Sequence, residues 1–329
     1  MLTPRENAMA IFRREQPDGY WDFMGSMIMP LDPVRALDAA PPTGEEHPDT
    51  WGTIKVRPVG SPGAHPHVTD ENKVIKDIEE WQKYLKVPSL DNLDWSQYEA
   101  DCAAVDREQY FLGFFCETGL FERSHFLMGM EDAFCNYLEY PEEMEEILDL
   151  IKDYKIQYIK MVADHVHPDV IFYHDDWGSK QNLFLPPETW REMIKPRQKE
   201  ISDCIHECGM IYVHHADCIC QPIVSDMAEI GIDIWQGAIA QNDIIAIQKE
   251  LDGKMAIIGG VDGPKVDLEG LDEEIIRAEA RRAIDEYCPA GRFYPGIPNG
   301  ICFIKRNNDI IQDELKKYGA QWAQEHPVS

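Results

Sequence analysis

Short apolar runs alternate with longer stretches of helical period along most of the chain, and this alternation predicts the architecture. The runs are Tyr110–Cys116, Val170–Tyr173, Met210–Val213, Ile232–Trp235, Met255–Ile258 and Arg292–Tyr294. They are three to seven residues long and, apart from Asp233 and Arg292, apolar, as expected of strands buried on both faces of a parallel sheet. Amphipathic helices are predicted between them: from Pro141 to about His165, Pro187 to Cys208, Pro222 to Ile230, Asp243 to Leu251, Glu273 to Tyr287 and about Ile304 to Tyr318. Repeated strand–helix units of this kind predict an α/β fold, a (β/α)8 TIM barrel formed as a single domain over residues 1–329.

Before this regular part, Thr3-Pro4 opens a helix that Pro17-Asp18-Gly19 ends, and Tyr20-Trp21-Asp22-Phe23-Met24 is a candidate first strand. Residues 30–75, rich in Pro, Gly and His, form an irregular N-terminal excursion expected to contribute to a site or a lid. Ile75–Leu85 is predicted as a further amphipathic helix.

The residues at the C-terminal ends of the strands carry the chemistry. In a barrel of this kind the site is built where strands hand over to their loops, and the interior elsewhere is mostly branched aliphatic. Here the strand ends bear Glu117, His174-Asp175-Asp176-Trp177, His214-His215-Ala216-Asp217-Cys218-Ile219-Cys220, Trp235-Gln236, Asp262 and Tyr294. Strand alternation puts His215 and Asp217 on one face and His214 and Ala216 on the other. His215 and Asp217, joined by Cys218 or Cys220 from the following loop, make a mixed N/O/S donor set that suits zinc. The same cysteines and histidines are equally compatible with a packed, hydrogen-bonded core. Asp175 and Asp176 point to opposite sides of their strand, so one of them faces the pocket, where it can serve as a general acid or orient a substrate group. His215, Asp217 and Asp176 are the catalytic candidates. His174, Asp175, Trp177, Trp235, Tyr294 and Glu117 are the substrate-binding candidates.

Composition narrows the function. A formal charge of −29, from 60 acidic against 31 basic residues, argues against nucleic acid or an anionic membrane as partner. Nine cysteines scattered without a disulfide-like spacing, and no leader-like or membrane-length apolar run, predict a soluble cytoplasmic protein.

The order of several motifs over nearly the whole chain resembles the uroporphyrinogen decarboxylase superfamily. The landmarks are Arg13-Arg14-Glu15-Gln16-Pro17-Asp18, Asp175-Asp176-Trp177-Gly178, Pro186-Pro187-Glu188, the His215 strand, Glu229-Ile230-Gly231-Ile232-Asp233 and Gly259-Gly260-Val261-Asp262. The porphyrinogen-binding R-Q-A-G-R motif of true decarboxylases is absent near Tyr20–Met24. Where thiol-activating methyltransferases of the superfamily carry H-x-C and a later Cys, this chain has His215-Ala216-Asp217 and Tyr294-Pro295-Gly296-Ile297-Pro298. The resemblance therefore implies the O-demethylase methyltransferase components, which move a methyl group from a methoxylated, typically aromatic compound to a corrinoid carried by a partner protein. A zinc pattern associated with those components, E-x14-E-x20-H, is matched by Glu131, Glu146 and His167. The alternatives are a decarboxylase of uroporphyrinogen or a non-porphyrin acid, favoured by Arg or Lys at the mouth, and a non-catalytic subunit that docks the corrinoid protein.

Overall fold

The computed structural model describes residues 1–61, 63–298 and 302–328. Among the described residues, ten strands form two sheets. Strands β1 (Met27–Ile28), β5 (Phe111–Cys116), β6 (Val170–His174), β7 (Ile211–His215), β8 (Ile234–Ala238), β9 (Ala256–Gly260) and β10 (Phe293–Gly296) make a seven-stranded sheet in that order, with every pairing parallel. Strands β2 (Glu46–Pro48), β3 (Ile54–Val56) and β4 (His65–Pro66) form a small antiparallel sheet within the excursion. The expected eight-stranded closure is not reached among the described residues, where β10 and β1 have no pairing with each other.

The predicted strand at Tyr20–Met24 is instead an irregular segment leading into a 3-10 turn, Phe23–Ser26, with only Met27 and Ile28 paired to β5. Asp22 explains the turn: its carboxylate accepts the Met24 N–H at 2.9 Å, a side-chain turn that competes with a ladder. The Phe23 ring lies 5.6 Å from Phe111 and 5.3 Å from Tyr294, filling the seam between β5 and β10 with side-chain packing where a ladder was expected.

Two other expected elements differ. Ile75–Leu85 contains a kinked 3-10 segment, Ile78–Lys83, and the predicted Pro187–Cys208 helix is divided into Pro187–Met193 and Lys195–Glu207. Pro196 follows that break; its ring disfavours helix continuing through from the preceding turn. The long helix Pro141–Val166, by contrast, runs unbroken.

The core lies between the sheet and its helices, where Phe114, Ile171, Tyr173, Tyr212, Trp235 and Ile257 are all at most 1% exposed. The helix Pro4–Arg13 closes the N-terminal end of the strands, with Arg5 and Arg107 both bonded to Asp169 just before β6. The excursion is fastened on the opposite side by the buried Arg123–Asp49 pair at 2.6 Å and by Thr53 Oγ1 donating to Phe126 O. Among the described residues no helix is long and apolar enough to cross a membrane.

Candidate functional site

Register assembles the site. His174 of β6 pairs with His215 of β7, which pairs with Gln236 of β8, so three consecutive strands present these side chains in one row on the lumen face. The two imidazoles stack with centroids 4.4 Å apart, and His215 Nδ1 bonds Gln236 Oε1, whose amide Nε2 donates to Pro298 O at 2.6 Å. His174 Nδ1 bonds the Glu122 carboxylate at 2.8 Å. Both rings thus use Nδ1 for anchoring and turn Nε2 towards Asp176, whose Oδ1 is 3.7 Å from His215 Nε2. One ligand atom from each of His174, Asp176 and His215 lies within 4.8 Å of the others, the only such trio of potential metal ligands among the described residues.

Electrostatics distinguish the two histidines. Burial disfavours the charged form of His174, but Glu122, Asp176 and Asp175 outweigh it and push its pKa up to about 10. Burial and the charge on His174 push His215 down to about 4, against Asp176 and Gln236. The pair therefore holds one proton next to Glu122 and one neutral ring. Burial and Asp176 together raise Asp217 to about 6.

The other face of the same strand ends is structural. Asp175 is fully buried and caps the helix Leu120–Met128, its carboxylate accepting from Phe121 N at 3.1 Å, Glu122 N at 2.9 Å and Trp177 Nε1 at 2.8 Å. That helix starts at Gly119 without a side-chain cap of its own, and a Cβ on Gly119 would stand 2.3 Å from the Asp175 Cβ. Glycine there permits the close approach that lets Asp175 reach the orphan N–H groups of the first turn. The cap also fixes Glu122, the third residue of that turn, beside His174. Trp177 stacks on His214 at 4.0 Å, and His214 is held neutral by burial between Tyr173 and Trp177.

The structure thus brings His174, Asp176 and His215 together and separates the remaining sequence candidates from them. Asp217 meets the group through its backbone, donating N–H to Asp176 Oδ1 at 3.1 Å, while its side chain lines an adjoining cavity of about 290 Å3 with Lys180, Ile239, Val261 and Pro298. Cys218 is fully buried, 3.4 Å from the Cys220 sulfur, and lies outside the trio; Asn242 clamps this loop through Cys218 O and Cys220 N. The expected His215/Asp217/Cys218 set therefore is not the one assembled, because β7 ends at His215 and strand parity no longer governs Asp217 and Cys218. Asp175 and Trp177 point away from the lumen, and Trp235 donates Nε1 to Ala216 O on the outer side. Tyr294 donates its hydroxyl to Ala8 O, on the helix that closes the far end. Glu117 follows β5 and lines a separate cleft. Glu131, Glu146 and His167 do not converge: the unbroken helix puts Glu146 and His167 roughly 30 Å apart at ~1.5 Å per residue, and the Glu146 carboxylate accepts from Trp81 and Gln82.

Glu122 is absent from the sequence candidates, and Gln236 is among them only as a strand-end residue without a role. Glu122 sits six residues past its strand end in what reads as an ordinary amphipathic helix. The one cue was its place in the first turn after Gly119.

Comparison with known proteins places this arrangement in a family. No curated protein matches the chain. A solved structure of a methyltransferase from Methanosarcina mazei is similar over 97% of this chain and 99% of that one, with a TM-score of 0.67 at 17% identity. Xylanase B from Clostridium stercorarium F9 covers 64% of this chain and 73% of its own, with a TM-score of 0.36 at 12% identity. The family described as Uroporphyrinogen decarboxylase (URO-D) matches residues 111–294, the span from β5 to β10 that carries every residue of the trio, and the chain belongs to that family.

Proposed function

We propose that the protein is a methyltransferase that takes a methyl group from a small methoxylated compound and passes it to a corrinoid carried by a separate protein in the cytoplasm. The observation that supports this most is the His174/Asp176/His215 trio, with both rings anchored through Nδ1, beside the aromatic side chains Phe115 and Phe172.

Moving a methyl group from oxygen to a nucleophilic acceptor breaks the carbon–oxygen bond and leaves its electron pair on oxygen. The protein's task is to stabilise that oxygen. His174 carries a proton at Nε2 when Glu122 holds Nδ1, and it can deliver this proton to the departing oxygen as general acid. Glu122 keeps the ring oriented and its charge balanced. Phe115 and Phe172, in contact at 5.4 Å, offer an apolar surface for the substrate body.

The donor set also fits zinc. His174, Asp176 and His215 would hold it through two imidazole nitrogens and one carboxylate oxygen, with Glu122 and Gln236 as the outer partners such ligands require and a position left open for substrate. When bound, zinc would displace the His174 Nε2 proton and supply a Lewis acid for the same departing oxygen in place of that proton.

A second reading, decarboxylation of a carboxylic acid, is favoured by one observation: the Arg35 guanidinium lies over the Phe115 ring, 4.5 Å from its centroid, at the mouth. The test is formation of methylcobalamin from reduced cobalamin and methoxylated benzenes, wild type beside His215→Ala. Transfer by the wild type, reduced about a hundredfold or more in the variant, is the expected result. Carbon dioxide release from an added acid with no methyl transfer would overturn it in favour of the lyase.

A further inference from the structure

Asp22 does more than hold the turn at Phe23–Ser26. One of its carboxylate oxygens accepts the Met24 N–H at 2.9 Å, and the other has no hydrogen-bond partner among the described residues. No Lys, Arg or His nitrogen among them comes within ion-pair distance of it. Burial, opposed only by the Met24 N–H, pushes its pKa up to about 6. The cations near the strand ends are matched elsewhere: Arg35, over the Phe115 ring, lies beside Asp32, and Lys180 acts on Asp217. A largely buried carboxylate short of both a donor and a counter-charge is costly, and a ligand supplying both would offset that cost.

Register and a glycine put this carboxylate in the lumen. Ile258 of β9 and Tyr294 of β10 stand in one row with Gln236, on the face that carries His215 and His174. Gly296, two residues beyond Tyr294, presents the same face. A Cβ on Gly296 would stand 2.8 Å from Asp22 Oδ2 and 3.0 Å from Asp22 Cγ, so the missing side chain leaves the room that the carboxylate occupies. Two residues further on, Pro298 O accepts from Gln236 Nε2, and the same amide anchors His215. Asp22 thus stands at the seam between β1 and β10, on the wall of the lumen opposite the β6 and β7 ends.

We propose that Asp22 is a substrate-binding residue that takes a protonated amine, and that the methyl donor is a methoxylated amine lying across the lumen, its methoxy group at the trio and its ammonium at the seam. The inference rests on the methyl-transfer reading of the His174/Asp176/His215 trio. An ammonium suits Asp22 better than a hydroxyl does. A hydroxyl would satisfy the free oxygen but leave the buried charge unbalanced, whereas an ammonium donates a charge-assisted hydrogen bond and balances it.

The test measures binding of para-methoxybenzylamine and of its near-isostere para-methoxybenzyl alcohol by equilibrium dialysis at neutral pH, using wild type, Asp22→Asn and Gly296→Ala. Asparagine keeps an oxygen for the Met24 N–H, and Gly296→Ala keeps the acid but sets a methyl group against it. Wild type is expected to bind the amine about tenfold or more tightly than the alcohol. Asp22→Asn should lose that preference with little change for the alcohol, and Gly296→Ala should reduce it. An equal preference in wild type and Asp22→Asn, or none in wild type, overturns the proposal. Should Asp22→Asn fail to fold, Gly296→Ala decides, and an undiminished preference there overturns it. Methyl transfer from both compounds to reduced cobalamin is measured in parallel. If neither is demethylated while Asp22-dependent binding of the amine is found, the methyl-transfer reading fails and the amine site stands. If the alcohol is demethylated as readily as the amine, the amine site falls and the methyl-transfer reading stands.

Discussion

The two faces of β6 and β7 at their C-terminal ends carry nearly the same residue types and do opposite work. Facing the helices are Tyr173, Asp175 and His214; facing the lumen are His174, Asp176 and His215. Asp175 has its carboxylate saturated by three N–H donors and His214 is packed neutral between aromatic rings. On the lumen side each imidazole is anchored at one nitrogen only, leaving the other with Asp176. An Asp or a His at a strand end is thus informative only together with its parity and with what already occupies its polar atoms.

The largest expected effect falls on the outer face. Asp175→Ala leaves three buried donors unpaired at about 1–3 kcal/mol each, so unfolding in urea should show a loss of about 3 kcal/mol or more. Gly119→Ala should destabilise by the same route, through the clash with Asp175. On the lumen face the sign of the comparison reverses. His174→Ala should unfold within about 1–2 kcal/mol of wild type while methyl transfer falls by two orders of magnitude or so. If His174→Ala unfolds as readily as Asp175→Ala, the division between the faces fails.

Glu122 sits between the two faces, since its backbone belongs to the capped helix turn and its side chain to the trio. Glu122→Gln keeps the shape but removes the charge that holds the His174 proton, and activity or metal affinity should drop about 10–100-fold with little change in stability. The smallest effect lies at the opposite end of the strands, where His206 pairs with Asp233 at 3.0 Å. Asp233 raises the pKa of His206 when folded, so the pair's contribution is complete below the unfolded value near 6.5 and is lost as pH rises through the higher folded value. Half-exposed, it is worth less than about 1 kcal/mol after solvent screening. His206→Gln should flatten that part of the stability–pH curve without touching methyl transfer.

Much of this was legible in the sequence. The succession of buried apolar runs gave the parallel strands and their order, because a strand covered on both faces must be apolar throughout. The site's location at the strand ends followed from the same pattern. The partners did not, for physical reasons that can be named. Asp217 and Cys218 lie beyond the last paired residue of β7, where the backbone turns and alternation stops predicting a side. Glu122 and Gln236 enter through tertiary contacts, one from a helix's first turn and one from across a strand pair. The Tyr20–Met24 segment has the composition of a strand, but the Asp22 side chain bonds Met24 N and diverts it into a turn.

The central claim, that the lumen trio is the chemical centre, is tested most directly by the metal content of the protein after saturation with zinc and removal of the excess. The measurement compares wild type with His174→Ala, Asp176→Ala, His215→Ala and Cys218→Ser. One zinc per chain in wild type and Cys218→Ser, lost in the three trio variants, is the predicted result. Zinc retained in the trio variants but lost in Cys218→Ser would contradict it.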